Sequence, residues 1–277
     1  MHKLVFGSSI ALAAVLMAYS VYHLGGGTYW VLALASIGFL LAFLDTSMGM
    51  GYGTVGTPVL LLLGLAPKVV VPSILISQFV AAGIGSIKHH RFRNMDLTDT
   101  KGNDFRLAVL FVAAGVAGAV MGVLAGVRLP KLYVSTYIGL LVMSMGILAL
   151  AKLRFRFTWA KAGVLSLVSS FNKTISGGGY GPVLTMGQII SGNGIRNSVG
   201  ITIFTVAIIN LLGFFLYNYI NGALLIVVPL SLCAGAMVGA QLGPEFTRNM
   251  KTGRNLVMFG AITLVLGALT IISLFVK

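Results

Sequence analysis

MGMGYGTVGTP, residues 48–58, separates two stretches of the chain that are apolar enough to lie in a lipid bilayer. It contains four glycines and one proline, which are Gly49, Gly51, Gly53, Gly56 and Pro58. Both residue types weaken a helix interior, glycine through its conformational freedom and proline through its missing N–H. A second cluster, SGGGYGPVLT at residues 176–185, combines glycine, tyrosine and proline again. The sequence therefore predicts two breaks in otherwise helical segments.

The amino-acid composition indicates a membrane protein. Hydrophobic residues make up 57% of the 277 positions and charged residues only 9%, whereas soluble domains carry roughly 25% charged residues. Apolar runs of about 20 residues, which suffice to cross a bilayer as helix, recur along the chain. We therefore predict an all-α polytopic protein of the cell membrane.

The net charge of +14 has two interpretations. A clustered basic face would indicate binding to nucleic acid, but the lysines and arginines occupy short segments between apolar runs. Short basic loops are typical of membrane topology, because they favour the cytoplasmic face. No nucleic-acid partner is therefore expected.

Nine helices are predicted from the apolar runs. They lie near residues 4–23, 29–47, 69–88, 106–126, 132–152, 158–172, 197–217, 222–243 and 255–275. Two further apolar pieces, near 57–66 and 182–190, are too short to cross alone, and each follows a glycine cluster. The first helix begins with basic residues, as a secretory signal does, but it lacks a clean cleavage pattern. Residues 1–28 are predicted as an extra, uncleaved transmembrane helix.

The chain resembles itself at a distance of 128 residues. This shift, made without a gap, superposes GMGYG at 49–53 on GGGYG at 177–181, and Lys68 on Arg196. The shared tyrosine and the basic residue in register carry more weight than the glycines, because glycine is common in membrane sequences. The self-similarity therefore indicates an internal repeat.

We predict two homologous repeats, residues 29–155 and 157–277, within a single transport domain. Such repeats are typical of secondary transporters, whose sites lie between the repeats near the bilayer midplane. The positions of lysine and arginine favour inverted repeats, because loops on one side then hold most of the positive charge. Each break then belongs to a re-entrant hairpin, and the chain makes seven full crossings. Nine crossings stay open as an alternative, because residues 29–47 are long enough to span by themselves.

The breaks predict a polar cavity between the repeats, because backbone that leaves a helix inside a membrane needs protein or water as its partner. A helix that starts at such a break directs free N–H groups and the positive end of its dipole into the cavity. Two such starts are expected to hold a small anion. The candidate substrate-binding residues are Gly49, Gly51, Tyr52, Gly53, Thr54, Thr57, Ser73, Gly177, Gly178, Gly179, Tyr180, Gly181, Thr185 and Thr202.

The prolines predict where each new helix begins. Pro58 and Pro182 suit the first turn of a helix, where a missing N–H has no cost. Thr57 is expected to be the N-cap in front of Pro58. The tyrosine and threonine hydroxyls of both clusters are expected to add hydrogen-bond donors to the site without adding a buried charge.

Two charged residues lie beside the breaks, Asp45 before the first and Lys173 before the second. Ionisable groups at membrane depth are functional candidates, and the 128-residue shift superposes this pair. Three interpretations stay open. The two residues pair across the pseudo-symmetry axis, or Lys173 neutralises the substrate while Asp45 accepts a coupling proton. In the third, both sit at helix ends and reach the membrane interface.

Other polar residues lie within apolar runs. Such residues often serve only to hold helices together. We include Ser73 and Thr202 among the site candidates and rank Gln78 and Asn210 below them. The basic segment KHHRFRN, residues 88–94, is expected to contact anionic lipid headgroups. Its adjacent histidines would point in different directions on a helix, so neither a metal site nor another cofactor is predicted.

Each glycine break is followed by a proline-led apolar piece, then by a short basic turn into a helix with a small hydroxyl residue. The two segments are GMGYG at 49–53 with TPVLLLLGLAPKVVVPSIL after it, and GGGYGPVL at 177–184 with GIRNSVGITIF after it. This pattern resembles the sulfite exporter TauE/SafE family of membrane permeases, nearly throughout the chain after residue 28. The resemblance implies transport of sulfur-containing anions such as sulfite, sulfonates, sulfoacetate or thiosulfate, often as export.

The combined prediction is a secondary transporter that moves such an anion by alternating access. An anion channel and a permease for another small oxyanion are the alternatives. An enzyme is not expected, because the four histidines lie near the chain start or in predicted loops, away from the breaks. The expected partners are a small anionic substrate, the lipid bilayer and a coupling proton or ion, and a homodimer is left open.

Overall fold

The computed structural model describes residues 27–150, 158–190, 193–222, 226–248 and 252–275, and all regular structure within them is helical. The helices are α1 (Thr28–Met48), α2 (Tyr52–Leu62), α3 (Pro67–Arg91), α4 (Asn103–Arg128), α5 (Lys131–Leu150), α6 (Trp159–Ser176), α7 (Tyr180–Ile190), α8 (Ile195–Asn221), α9 (Val227–Gly239), α10 (Gly243–Arg248) and α11 (Thr252–Phe275). The all-α prediction is confirmed within these ranges. The helix predicted near 4–23 and the predicted junction between the repeats lie outside the described residues.

Four of these helices, α1, α3, α4 and α8, are long and apolar enough to cross a membrane. Shorter apolar helices in the described ranges are Tyr52–Leu62, Lys131–Ile147, Val227–Gly239 and Leu264–Phe275. A helix of about 20 residues is needed to cross the hydrocarbon core. The short helices therefore need either a partner helix or a position within the protein interior.

Two predicted helix boundaries were wrong. The helix predicted near 222–243 ends earlier than expected, because α9 stops at Gly239 and a turn leads to α10, which begins at Gly243. The helix after the first break begins at Tyr52, so Pro58 lies inside it and Thr57 is not its N-cap. The backbone turns into this helix already at Gly51, whose φ of 123° is a value that favours glycine.

α1 and α2 form a hairpin around the first break. Gly56 of α2 lies against Leu41, well before the end of α1, so that a Cβ built at Gly56 would come within 2.5 Å of Leu41 Cδ1. This contact requires α2 to run back alongside α1. The chain then turns at Gly64, whose φ is 89°, and enters α3.

α3 and α8 pack against each other and run antiparallel. Leu75 of α3 packs on Gly213 of α8, and Ile203 of α8 packs on Gly85 of α3; in both cases a Cβ at the glycine would lie 3.2 Å from the partner's side chain. Adding 128 to Leu75 gives Ile203, and subtracting it from Gly213 gives Gly85. The two contacts are thus related by the shift seen in the sequence.

Glycines also allow two other helix pairs to pack closely, α4 with α6 and α9 with α1. A Cβ at Gly118 of α4 would lie 2.1 Å from the Leu167 carbonyl oxygen of α6, and a Cβ at Gly239 of α9 would lie 2.1 Å from the Phe39 carbonyl oxygen of α1. Phe39 and Leu167 are 128 apart, whereas Gly118 and Gly239 are 121 apart. The difference arises because the connection before α9 is shorter than the one before α4.

Candidate anion site at two glycine breaks

Both predicted breaks are present, and each has two glycines with positive φ at equivalent positions. α1 ends at Gly49 with φ 70° and α6 ends at Gly177 with φ 76°, in the left-handed region where a helix C-terminus favours glycine. In each case the glycine N–H donates to the fourth carbonyl before it, at 2.7 Å. A second glycine with positive φ, Gly51 or Gly179, precedes the next helix.

The two breaks touch each other. A Cβ at Gly53 would lie 1.5 Å from the Gly177 carbonyl oxygen, and a Cβ at Gly181 would lie 2.2 Å from that of Gly49. Gly178 also packs on Gly53, at 3.0 Å by the same measure. No other residue type fits these close approaches. The sequence predicts a polar cavity between the helix starts, but direct contact closes that space at these points.

Two hydrogen bonds join the breaks. The Gly179 N–H donates to Thr54 Oγ1 at 3.2 Å, so a side chain of α2 satisfies an amide at the start of α7. Thr185 Oγ1 of α7 donates to the Gly49 carbonyl at 2.9 Å. Each break therefore supplies polar groups that the other one needs.

The charged residues are buried beside this contact, Asp45 with 2% and Lys173 with 1% of its surface exposed. Neither side chain therefore reaches the membrane interface, and this interpretation is excluded. Gln78 of α3 joins them, because its Nε2 donates to Asp45 Oδ2 at 2.6 Å and its Oε1 accepts a hydrogen bond from Lys173 Nζ. Lys173 Nζ also donates to the Gly177 carbonyl. The two charges are thus connected through an amide.

Each charge contacts a helix end whose dipole favours it. Lys173 lies in the last turn of α6, where the helix dipole favours a cation. Asp45 lies in the last turn of α1, which is unfavourable, but its Oδ1 accepts the N–H of Tyr52 (3.4 Å) at the start of α2, where the dipole favours an anion. Opposite charges are accommodated at equivalent positions because each break presents helix ends of both polarities.

Lys173 makes the two breaks unequal. The pair equivalent to Thr185 and Gly49 is Thr57 and Gly177, but there Lys173 occupies the carbonyl. Thr57 Oγ1 has no hydrogen-bond partner among the described residues. It lies next to Gly177 nevertheless, since a Cβ at that glycine would come within 2.6 Å of Thr57 Oγ1.

The hydroxyls of the two equivalent tyrosines also differ, because only the one in the second break has a hydrogen-bond partner within the described residues. The Tyr180 hydroxyl donates to Thr205 Oγ1 at 3.0 Å. The Tyr52 hydroxyl is also buried but has no hydrogen bond of normal geometry within the described ranges. Its neighbour Ser77, the equivalent of Thr205, donates its own O–H to the Ser73 carbonyl at 2.7 Å. Both of these unpartnered hydroxyls belong to α2.

The remaining two candidates are not connected to Lys173 by hydrogen bonds. Ser73 Oγ donates to the Val69 carbonyl of its own helix at 2.7 Å. Thr202 Oγ1 accepts from Gln188 Nε2 of α7 at 3.0 Å. Gln78, which the sequence ranks below both residues as a site candidate, is instead the side chain that connects the two charges. A polar side chain in an apolar helix was the only sequence signal for it.

The basic segment at the end of α3 is partly buried, which corrects the expectation of lipid contact for Lys88 and His89. His89 is fully buried, with Nε2 2.8 Å from the Thr46 carbonyl and Nδ1 2.9 Å from the amide of Asn94. Lys88 Nζ donates to the Gln241 carbonyl at 2.7 Å. α3 is longer than predicted, and this extra turn places both side chains against α1 and the segment before α10.

Comparisons with known proteins identify the family. The sulfite exporter TauE/SafE family matches residues 33–270. The probable membrane transporter protein YtnM of Bacillus subtilis (strain 168) is 25% identical over 262 residues, which cover 88% of this chain and 83% of that protein. No solved structure matches the chain. The chain is therefore a multi-pass membrane transporter of the cell membrane and belongs to the sulfite exporter TauE/SafE family.

Proposed function

We propose that this protein is a secondary transporter of a small sulfur-containing anion, such as sulfite, a sulfonate, sulfoacetate or thiosulfate, and that it works by alternating access. The family description supports a sulfur oxyanion as the substrate class. The proposed site is the contact between the two glycine breaks. Its substrate-binding groups are the backbone amides of both breaks, the hydroxyls of α2 and α7, and Lys173.

The bonding of Lys173 is the observation that carries this proposal. Its ammonium group is buried at the contact between the breaks, and its hydrogen bonds there go to two neutral acceptors, the Gln78 amide and the Gly177 carbonyl. A buried charge is costly unless it is well compensated. An oxyanion that replaces one of these neutral acceptors gains a charge-assisted hydrogen bond, which is roughly twice as strong as a neutral one.

Thr57 makes such a replacement less costly. When Lys173 turns towards an anion, the Gly177 carbonyl loses its donor, and a buried carbonyl without a donor costs about 1–3 kcal/mol. The unpartnered hydroxyl of Thr57 lies beside this glycine. It can supply the missing hydrogen bond, as Thr185 already does at the equivalent carbonyl of Gly49.

Asp45 is the proposed proton acceptor for coupling. Its carboxylate is buried and is held by the Gln78 amide and the Tyr52 N–H. Because Gln78 binds Lys173 with its other end, a change at the lysine alters the hydrogen bonds of the carboxylate. The amide thus gives a physical route by which anion binding and protonation of Asp45 influence each other.

The two halves of the chain are proposed to be inverted repeats, residues 29–155 and 157–277. Four features support this. The helices α2 and α7 begin 128 residues apart, as do α3 and α8, and glycines with positive φ lie at equivalent positions of the two breaks. Equivalent side chains make equivalent contacts, and α3 runs antiparallel to its counterpart α8. Counterpart helices that run in opposite directions are expected of inverted repeats. The site between the breaks then lies on the axis that relates them.

A carrier is favoured over a channel by the contact between the breaks. Gly53 and Gly177 approach so closely that a single Cβ would overlap the carbonyl, and an anion passes this point only after the helices separate. A channel needs a path that stays open across the membrane during conduction, whereas alternating access requires a closed contact that moves.

Transport by purified protein in proteoliposomes tests this function. We expect saturable uptake of labelled sulfite or thiosulfate, counterflow when the lumen holds unlabelled anion, and loss of both in Lys173→Met. Lys68→Met is the matched control, because it removes a lysine that is exposed at the start of α3. Single-channel currents, or equal transport by wild type and Lys173→Met, would contradict the proposal.

A further inference from the structure

A cavity of about 670 Å³ lies apart from the breaks, where α3 ends and α8 begins. Its lining includes two arginines, Arg91 and Arg93, two carboxylates, Asp96 and Asp104, and the side chain of Met95. We propose that this cavity, termed the vestibule, is a second oxyanion-binding site, at which the transported anion binds before it reaches the breaks. The inference rests on the proposed function and adds a site to it.

Arg93 has an unusual backbone conformation. Its φ is 54°, and within the described part of the chain no other residue except glycines has a positive φ. Its N–H donates to the His90 carbonyl at 3.0 Å and the next N–H, of Asn94, donates to the His89 carbonyl at 2.9 Å. These bonds form the Schellman ending of a helix, in which this position is usually glycine. An arginine here is disfavoured by the backbone, and its side chain lines the cavity.

The guanidinium groups of the vestibule are free to bind an anion. No ion pair of Arg91 or Arg93 is present within the described residues, although two carboxylates line the same cavity. Those carboxylates instead bind neutral partners, Thr98 and Asn197, which line the same cavity. Asp104 accepts hydrogen bonds from the Asn197 amide at 2.9 and 3.0 Å, and side-chain and backbone hydrogen bonds from Thr98 lower the pKa of Asp96.

A single layer of side chain and helix separates the vestibule from the first break. Met95 is buried and packs on Gly200 of α8, where a Cβ would lie 2.9 Å from Met95 Cβ. The preceding residue, Val199, contacts Gly49, where a Cβ would lie 3.2 Å from Val199 Cα. Adjacent residues of α8 therefore contact the wall of the vestibule and the first break.

The ligand chemistry is that of an oxyanion, because planar guanidinium groups bind carboxylate, phosphate and related oxygens in pairs. Two sources supply such oxygens at a membrane surface, the dissolved substrate and an anionic lipid headgroup. Basic segments next to a membrane helix often bind headgroups. We assign the vestibule to the dissolved anion because the arginines line a cavity of this size, and the experiment separates the two sources.

Arg93→Gly is the decisive variant. Glycine removes the charge and relieves the positive φ, so we expect the melting temperature of the purified protein to rise. We also expect KM for sulfite to rise by roughly threefold to tenfold with little change in kcat, because attraction into a charged cleft affects access. The difference in KM between variant and wild type should shrink at high salt, because salt at 1 M screens charges that are more than about 3 Å apart. Arg91→Gln should act in the same direction on KM.

Lys101→Gln is the control, because Lys101 is exposed in the same connection and does not line the vestibule. Its KM should equal that of wild type. Measurements in phosphatidylcholine vesicles and in vesicles that also contain phosphatidylglycerol distinguish the two sources. An effect of Arg93→Gly that appears only with phosphatidylglycerol would overturn the vestibule as a site for the dissolved anion. So would a KM of Arg93→Gly equal to that of the wild type, when the wild type transports. A wild type that does not transport would instead overturn the proposed function.

Discussion

Lys173 and Thr57 compete for one acceptor, the carbonyl oxygen of Gly177. In the present structure the lysine holds it, and the threonine hydroxyl is left without a partner in a fully buried position. A buried hydroxyl without a hydrogen bond is unfavourable, so an arrangement in which Thr57 bonds to this carbonyl would offset part of the cost of moving Lys173. The transport cycle proposed above would use these two arrangements in turn.

Thr57→Val and Thr185→Val test these alternatives by changing equivalent residues. Valine keeps the shape of threonine and removes its hydroxyl. We expect Thr57→Val to keep or slightly raise the free energy of unfolding but to lower kcat several-fold, because the hydroxyl is needed only after Lys173 has moved. Thr185→Val loses an existing bond and should lower the free energy of unfolding by about 1 kcal/mol.

Chemical denaturation and proteoliposome transport measure the two effects separately. Thr57→Ser, which restores a hydroxyl, should recover most of the lost transport. If Thr57→Val transports like wild type, the assigned role of this hydroxyl is wrong.

Single residues differ in how far the sequence reveals them. Asp45 and Lys173 are visible because they stand at equivalent positions beside the breaks. Gln78 is not, because its counterpart at the 128-residue shift is the apolar Val206, and only its position on α3 shows that it reaches both charges. The N-cap role predicted for Thr57 failed because a glycine with positive φ, and not the proline, starts the helix.

The helices of the breaks are held together by glycine rather than by large side chains. Packing between membrane helices depends on close approach of their backbones, which small residues allow. At Gly53 this approach includes the ammonium group of Lys173 as well as the Gly177 carbonyl. The same glycine therefore allows the helices to pack and leaves room for the ammonium group of Lys173.

Gly53→Ala is expected to destabilise the protein by about 3 kcal/mol or more, because its Cβ would overlap a backbone oxygen and overpacking of this kind is costly. Gly83→Ala is the matched control, since Gly83 lies in α3 with nothing within 4 Å of an added Cβ. It should stabilise the helix by roughly 0.5–1 kcal/mol. Thermal unfolding in detergent measures both variants. Equal melting temperatures for the two would contradict the packing described at the breaks.

At the scale of the whole molecule, the two proposed repeats carry unlike charges at equivalent positions beside the breaks, Asp45 and Lys173. Equivalent pairs build the scaffold, such as Leu75 with Gly213 and Ile203 with Gly85. The polar groups differ, because one half supplies a carboxylate where the other supplies an ammonium group. Under the proposed function, such a scaffold would alternate between two related conformations, while the charge proposed to bind the anion stays on one half.

The sequence predicts the relation between the halves only in part. The ungapped shift holds for the first three helices of each half, where α2 and α7 start 128 residues apart, as do α3 and α8. It fails in α4 and α9, where the packing glycines Gly118 and Gly239 are 121 apart, because a loop of different length intervenes. Relative direction is also hard to read from sequence, since the same apolar pattern serves a helix running either way.

Inversion makes a definite prediction for the starts of α3 and α8. In inverted repeats, equivalent positions lie on opposite faces of the membrane, so Lys68 and Arg196, both exposed near a helix start, should be accessible from different sides. Lys68→Cys and Arg196→Cys, each made in a Cys233→Ala background that removes the buried native thiol, can be labelled in intact cells with a membrane-impermeant maleimide. We expect one of the two to react before permeabilisation and the other only afterwards. Reaction of both in intact cells, or of neither, would indicate that the halves are parallel, and the antiparallel contact of α3 with α8 would then need another explanation.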